Sequence, residues 1–277
     1  IPVPSGDIAY TEQSALLLAE KIGYPVVVKP YDGNQGKGVS LNLCSRDQVR
    51  SAYREAARYS KAVIVEKYIK GRDYRVLVVG DKVSAVSERK SPYITGDGIH
   101  TVKELVDIEN MNELRGEDHE KPLTKIKLDN VAMELLKRMG LDENSVPARG
   151  QVVCLRENGN LSTGGTARSC TGEIHPANSE IAVRAAKVLG LDIAGIDITA
   201  EDISIPINGD NGAVIEVNAA PGLRMHLYPS EGEPDNVASD ILDMLFPQGK
   251  PFTIPIVSVT GTNGKTTTTR LIGHVLS

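Results

Sequence analysis

Residues 254–268, Ile-Pro-Ile-Val-Ser-Val-Thr-Gly-Thr-Asn-Gly-Lys-Thr-Thr-Thr, constrain this 277-residue chain more than any other stretch. The apolar run from Ile254 to Val259 reads as a strand entering a turn that carries Gly261 and Gly264, after which Lys265-Thr266 opens a helix. Backbone N–H groups of such a turn, with those of the helix start, form a cradle for phosphate oxygens. Gly261, Asn263, Gly264, Lys265 and Thr266 are therefore its expected nucleotide contacts. A sheet built on this strand needs further strand–helix units to be buried, and too few residues follow to supply them. The residues before the loop are thus expected to form a separate folded unit. The chain also opens on Ile1 rather than Met, so the reading is of a fragment cut at both ends and inactive on its own.

Composition narrows the class. A 40% hydrophobic and 24% charged chain is ordinary for a soluble globular protein. The net charge of −5, with no sustained basic run, gives no support for nucleic-acid or acidic-membrane partners. No apolar stretch approaches the roughly 18–20 residues of a membrane span. Cys44, Cys154 and Cys170 have no metal-ligand spacing and read as reduced thiols of a cytoplasmic protein.

Strands and helices alternate without a strict βαβ beat, which predicts an α+β unit over residues 1–246. A linker over 247–252 and the start of an α/β domain over 253–277 follow. Helices are expected over residues 15–22, 46–59, 130–139, 179–189 and 237–246, with Thr11, Ser45 and Asn178 as caps. Thr101-Val102-Lys103-Glu104 is a further capping box. Strands are expected over 24–30, 39–43, 62–68, 151–155, 193–199 and 213–217, and Gly80-Asp81 turns a hairpin between 74–79 and 82–87. Residues 110–125 are charged and patternless, so a loop or flexible insertion is expected there.

Three constellations carry chemistry. In Ile215-Glu216-Val217-Asn218, Glu216 and Asn218 lie two apart and project from one face of a strand. Asp197, between Ile196 and Ile198, is expected to point the same way. Two carboxylates and an amide oxygen brought together need a cation, and such oxygen ligands suit Mg²⁺ held together with phosphates. Solvent-facing residues on an edge strand are the plainer alternative. Next, Lys29 ends a strand and leads into Gly33-Asn34-Gln35-Gly36-Lys37-Gly38, a turn that would let N–H groups approach phosphate, or simply a glycine-bearing hairpin. Lastly, Glu66 closes a strand and Asp73 begins the next, flanking an apolar step suited to an adenine amine and a ribose; solvated loop acids fit equally.

The order of these features, lysine, glycine turn, Glu66-Lys67-Tyr68-Ile69, Asp73, Asp197, then Glu216-x-Asn218-x-x-Pro221-Gly222, resembles the ATP-grasp ligases over about residues 1–245. The resemblance implies two α+β subdomains enclosing ATP. Lys29 and the turn residues Gly36 and Lys37 would contact its phosphates, Lys37 from a mobile loop where it also serves catalysis. Glu66 and the backbone of Lys67 and Ile69 would hold adenine, Asp73 the ribose, and Asp197, Glu216 and Asn218 would bind Mg²⁺. The loop at Lys265 has Val259 where the commoner phosphate loop has its first glycine, and it is similar to the shorter loop of Mur-type peptide ligases.

An ATP-grasp unit followed by a Mur-type loop resembles two-site ligases that build an aspartate–arginine polymer. That resemblance implies ATP and Mg²⁺ as cofactors, and aspartate, arginine and the growing Asp/Arg polymer as substrates. The enzyme would be a homo-oligomer without membrane or nucleic-acid partners. An acyl phosphate attacked by an amine needs no side-chain nucleophile. Arg224, six residues after Asn218, is the candidate for pairing with a substrate carboxylate, with a structural salt bridge as the alternative. Arg168-Ser169-Cys170 departs from the pattern where an acidic residue is expected. Other ATP-grasp amino-acid ligases, glutathione-synthetase-like or D-Ala-D-Ala-like, and a non-catalytic nucleotide-binding module remain as alternatives.

Overall fold

The computed structural model describes residues 1–33, 37–118, 120–156, 159–250 and 256–276. One compact unit runs from Ile1 to Ile241, and a second comprises the residues after it.

The first unit begins with β1 (Gly6–Ala9), α1 (Glu12–Ile22), β2 (Val26–Pro30), β3 (Ser40–Leu43), α2 (Arg46–Ala56) and β4 (Val63–Lys67). The strands form an antiparallel sheet in the order β1-β4-β2-β3. Its two faces differ because side chains alternate along each strand. Val26, Val28, Val63 and Val65, all 0% exposed, pack against Ala15, Leu16 and Ala19 of α1 and Val49, Ala52 and Ala56 of α2. Lys29, Ile64 and Glu66 occupy the opposite, partly exposed face. Thr11 caps α1 with a reciprocal box to Ser14. At α2 the expected box is only half made: Ser45 accepts from the Gln48 N–H, but the Gln48 side chain takes the N–H of Cys44.

The chain then enters β5 (Arg72–Val79) and β6 (Lys82–Lys90), the hairpin expected around Gly80-Asp81. A small lobe follows: β7 (Tyr93–Thr95), α3 (Val102–Asn110), β8 (Arg115–Gly116), β9 (Leu123–Thr124), α4 (Asn130–Arg138) and β10 (Val152–Cys154). Thr101 and Glu104 cap α3 reciprocally, as expected. The charged stretch over 110–125 is more than a loop. Arg115 is 3% exposed there and donates to the carbonyls of Thr124 and Gly164 and to Glu109, while β8 and β9 pair in parallel. A buried arginine with its donors satisfied orders a segment that has no apolar period to reveal it.

The unit closes with β11 (Thr166–Ser169), α5 (Pro176–Val188), β12 (Ile193–Ala200), β13 (Gly212–Asn218), α6 (Arg224–Leu227) and the first residues of α7 (Val237–Leu245). An antiparallel sheet in the order β11-β6-β5-β12-β13 results. Its apolar face (Tyr74, Val76, Val78, Val86, Ile196, Ile198) packs on Ala182, Ala185 and Ala186 of α5. The expected cap at Asn178 is corrected: His175 caps α5, with Pro176 at its first position. Asn178 is instead 0% exposed, donating to the carbonyls of Ile203 and Ile205 and accepting from the N–H of Ile207.

In the second unit, α8 (Lys265–Leu276) starts where the sequence predicts. Residues 256–259 carry no strand, contrary to expectation, and residues 254–255 lie outside the described residues. No neighbouring strand among the described residues offers a ladder to pair with, and an isolated strand leaves its backbone groups unmet. No described helix is long and apolar enough to cross a membrane.

Candidate active site

The face of the five-stranded sheet turned away from α5 carries the predicted acids. In register, Ser87 faces Arg75, Arg75 faces Asp197, and Asp197 faces Glu216, so one lateral row crosses β6, β5, β12 and β13. The neighbouring row on the same face places Arg89 opposite Asp73 and Asp73 opposite Thr199. Asn218 lies opposite Gly195, whose carbonyl accepts from its amide at 3.3 Å. The three residues expected to bind a metal therefore share one face of two adjacent strands.

Their electrostatics were only partly legible. Asp197 is 6% exposed and held by two arginines: Arg75 donates through Nε and Nη2, and Arg89 Nη1 lies 3.1 Å from Oδ2. Glu216 is exposed and has no ion-pair partner among the described residues. Like charges directly opposite on a sheet destabilise it. Arg75 and Arg89 offset the charge of Asp197 from one side; a cation between Asp197 and Glu216 would offset both from the other. The donor set, two carboxylates and an amide oxygen, fits Mg²⁺, because each carboxylate oxygen accepts more than one partner. Among the described residues no group of three or more His, Cys, Asp or Glu side chains gathers to hold a metal, at this site or elsewhere. A glycine at 195 is needed here, since a Cβ would lie 2.7 Å from Pro221 and 3.0 Å from Arg75 Cδ.

Lys29 and Glu66, assigned by resemblance to phosphate and adenine, meet each other on the free face of the four-stranded sheet, with Nζ 2.6 Å from Oε1. Gly6 faces Glu66 in the ladder, and a Cβ there would lie 2.6 Å from Glu66 Cβ. Between the sheets, residues 68–71 connect β4 to β5. Ile69 is buried, and Gly71 is pressed so closely on the end of β12 that a Cβ would lie 2.4 Å from the Ala200 carbonyl carbon. Lys67 reaches across to Asp210 of the β12–β13 connection at 2.9 Å. Asp73 accepts from Thr199 Oγ1 at 2.9 Å. Glu66, Lys67, Ile69 and Asp73 thus flank one short crossing between two polar sheet faces.

Arg224 forms no ion pair among the described residues, so the structural salt bridge is not what holds it. Its Nη1 donates to the Lys121 carbonyl at 3.0 Å and its Nη2 to Thr124 Oγ1 at 3.4 Å. Burial pushes its pKa down from the ordinary arginine value. A half-buried guanidinium with no carboxylate partner is equipped to receive one. Arg168, the departure in the pattern, projects from the opposite face of β11 and pairs with Glu88 and Glu173. It plays no part in the row.

Lys37 is exposed on the turn after β2, and Gly36 lies outside the described residues. Gly38 closes that turn at φ +71° against the Tyr59 ring. In the second unit Gly261 and Gly264 adopt φ of +143° and +78°, Asn263 and Thr266 are exposed, and Lys265 Nζ folds back on the carbonyls of Gly261 and Thr262. Sequence reasoning missed Arg75, Arg89 and Thr199. The signal was present in part, since Asp73 and Arg75 lie two apart and share a face.

Two family models match: the D-ala D-ala ligase C-terminus over residues 5–129 and the RimK-like ATP-grasp domain over residues 151–245. Cyanophycin synthetases of Geminocystis herdmanii and a Nostoc species are 49% and 50% identical, each over 99% of this chain. The chain spans about a third of the length of these relatives, 32% and 31%. A glutathione biosynthesis bifunctional protein of Listeria welshimeri is 40% identical over 89% of the chain and 32% of its own length. The crystal structure of a bifunctional glutathione synthetase from Pasteurella multocida, 34% identical, superposes over 90% of this chain and 34% of its own with a TM-score of 0.64. The chain has the ATP-grasp fold and is similar along almost all of its length to part of the cyanophycin synthetases.

Proposed function

We propose that this chain carries the aspartate-adding site of an enzyme that polymerises aspartate and arginine; the resemblance of its motifs to such two-site ligases and its similarity to cyanophycin synthetases support this reading. ATP would lie between the two polar sheet faces, with Glu66, Lys67 and Ile69 at adenine, Asp73 at the ribose, and Lys29, Gly36 and Lys37 at the phosphates. The terminal carboxylate of the polymer takes the γ-phosphoryl group, releasing ADP, and the amine of aspartate displaces phosphate from the acyl phosphate, losing a proton as the amide forms. Asp197, Glu216 and Asn218 would hold Mg²⁺, which supplies charge neutralisation at the transferring phosphoryl group. Arg75 in the same row and Arg89 in the neighbouring one place fixed positive charge beside Asp197, stabilising negative charge as it moves. Arg224 orients a substrate carboxylate. Lys37, on the turn over the phosphates, helps exclude water from an intermediate prone to hydrolysis.

The observation that carries this reading is that Arg75 and Arg89 hold Asp197 directly opposite Glu216, which has no ion-pair partner among the described residues. We further propose residues 1–246 as the ATP-grasp domain, 247–252 as a linker, and 253–277 as the start of a Mur-type domain. Gly261, Asn263, Gly264, Lys265 and Thr266 would bind a second ATP there, for arginine addition to the β-carboxylate. The whole enzyme would be a cytoplasmic homo-oligomer. In the full-length protein, phosphate release from ATP should require aspartate and an Asp/Arg primer, with arginine needed for the next cycle. Similarity to bifunctional glutathione proteins supports a second reading. Turnover with glycine and γ-glutamylcysteine, and none with aspartate, would establish that reading instead.

A further inference from the structure

His226 is a buried group beside the site that the reading above leaves unused. It is 0% exposed and lies on α6, the four-residue helix that also carries Arg224. Its Nδ1 is 2.8 Å from Ser87 Oγ. Its Nε2 is buried without a hydrogen-bond partner among the described residues, and so is Nε of Arg89. Burial first, and the charge of Arg75 second, push the imidazole pKa down to about 4. The ring is therefore neutral near pH 7 and adds no charge to that of Arg75.

Ser87 is the β6 member of the row that continues through Arg75, Asp197 and Glu216. His226 thus abuts one end of the row whose other end is the exposed carboxylate. A helix of one turn has no stability of its own, and α6 has no side-chain cap, so tertiary anchors must hold it. Among the described residues, Met225 enters a small apolar cluster with Leu161 and Ala167, the His226 carbonyl accepts from the Asp235 N–H at 2.9 Å, Arg224 donates to the Lys121 carbonyl and Thr124 Oγ1, and the imidazole contacts Ser87. Among the described residues, the imidazole makes the side-chain hydrogen bond from α6 to β6 on the polar face, beside the apolar contact of Met225 with Ala167.

We infer that His226 is a positioning residue: it pins α6 to the Ser87 end of the Arg75–Asp197–Glu216 row and so fixes Arg224 relative to those carboxylates. With no exposed surface it acts through Ser87 and does not touch substrate. This inference rests on the roles proposed for Arg224 and Glu216.

The test uses the full-length protein with H226F, which fills the space without a ring nitrogen, H226N, whose amide reproduces the polar atom facing Ser87, and S87A, the smallest cut from the other side. ATP affinity, aspartate-dependent kcat and KM, and melting temperature are measured for each. A displacement of Arg224 of about 1 Å costs on the order of 100-fold in rate. H226F and S87A should therefore lose about 10- to 100-fold in kcat/KM for aspartate. ATP affinity should stay within about twofold, with H226N recovering most of the loss. Wild-type kcat/KM in both S87A and H226F would overturn the inference. So would losses that follow melting temperature and ATP affinity together, with no rescue by H226N. An unsubstituted protein that turns over ATP only with another amine would overturn the proposed substrate. The same three variants compared with that amine would then decide the positioning role.

Discussion

Asp197 and Glu216 face each other across one ladder position, yet the fold treats their charges differently, and that difference can be measured. Asp197 is the shared counter-charge of Arg75 and Arg89, whose side chains are 10% and 18% exposed. Removing one partner of a buried ion pair costs roughly 3–5 kcal/mol, because the remaining charge stays buried and unpaired. In D197N the amide keeps the shape and one acceptor oxygen, so the lower end, about 3 kcal/mol, is expected. At roughly 2–4 °C per kcal/mol for a unit of this size, melting should fall by about 6–12 °C. Glu216 is exposed and unpaired among the described residues, so E216Q should change stability by less than about 0.5 kcal/mol. Both substitutions remove the charge of a proposed metal ligand and should lower aspartate-dependent phosphate release by about 100-fold or more. Thermal melting with and without Mg²⁺–ATP, beside a phosphate-release assay, separates the two effects. Mg²⁺–ATP should raise the melting temperature of the unsubstituted protein and have little effect on E216Q. Equal melting losses in D197N and E216Q, or near-normal turnover by E216Q, would refute the reasoning.

Other expectations follow from single contacts. Thr199 donates to Asp73, so T199V should raise KM for ATP severalfold and narrow the preference for ATP over 2′-deoxy-ATP; an unchanged ratio in steady-state assays would separate Thr199 from ribose recognition. Gly38 has φ +71°, and a Cβ there would lie 2.7 Å from the Tyr59 ring. G38A should therefore cost roughly 1–2 kcal/mol at that turn and weaken ATP binding, as titration calorimetry would detect. The depressed pKa of His226, about 4 against an ordinary 6.5, means the unfolded chain binds a proton the folded chain refuses between those values. This contribution is complete above about pH 6.5 and is lost as pH falls toward 4, with a slope approaching about 1.4 kcal/mol per pH unit. Denaturant unfolding across that range should show the slope in the wild type, and H226N, which has no imidazole, should flatten it.

Local signals were readable in the sequence wherever a short-range rule decides the outcome. Thr101 and Glu104 form the expected box, Gly80-Asp81 turns the expected hairpin, and the two-residue spacing puts Glu216 and Asn218 on one face. What escaped depends on partners distant in the chain. Nothing near Arg75 announces Asp197, which is 122 residues away. Arg115 lies in a stretch with no apolar period and is buried only because the carbonyls of Thr124 and Gly164 converge on it. Asn178 has the composition of a cap, but three backbone groups from residues 203–207 claim its side chain, and His175 caps in its place. β11 begins beside Gly164 and Gly165 and exists through its ladder to β6. The pairing of Lys29 with Glu66 likewise follows from β2 and β4 being neighbours, which their sequences do not state.

The central claim is that aspartate is joined at the row through Glu216 and that the loop at Lys265 serves a separate step. K265A in the full-length protein isolates the first from the second. Supplied with primer, ATP and aspartate, K265A should incorporate aspartate with one ADP released per residue and incorporate no arginine, and adding E216Q should abolish the aspartate step. Arginine incorporation by K265A, or aspartate incorporation that survives E216Q, would contradict the account.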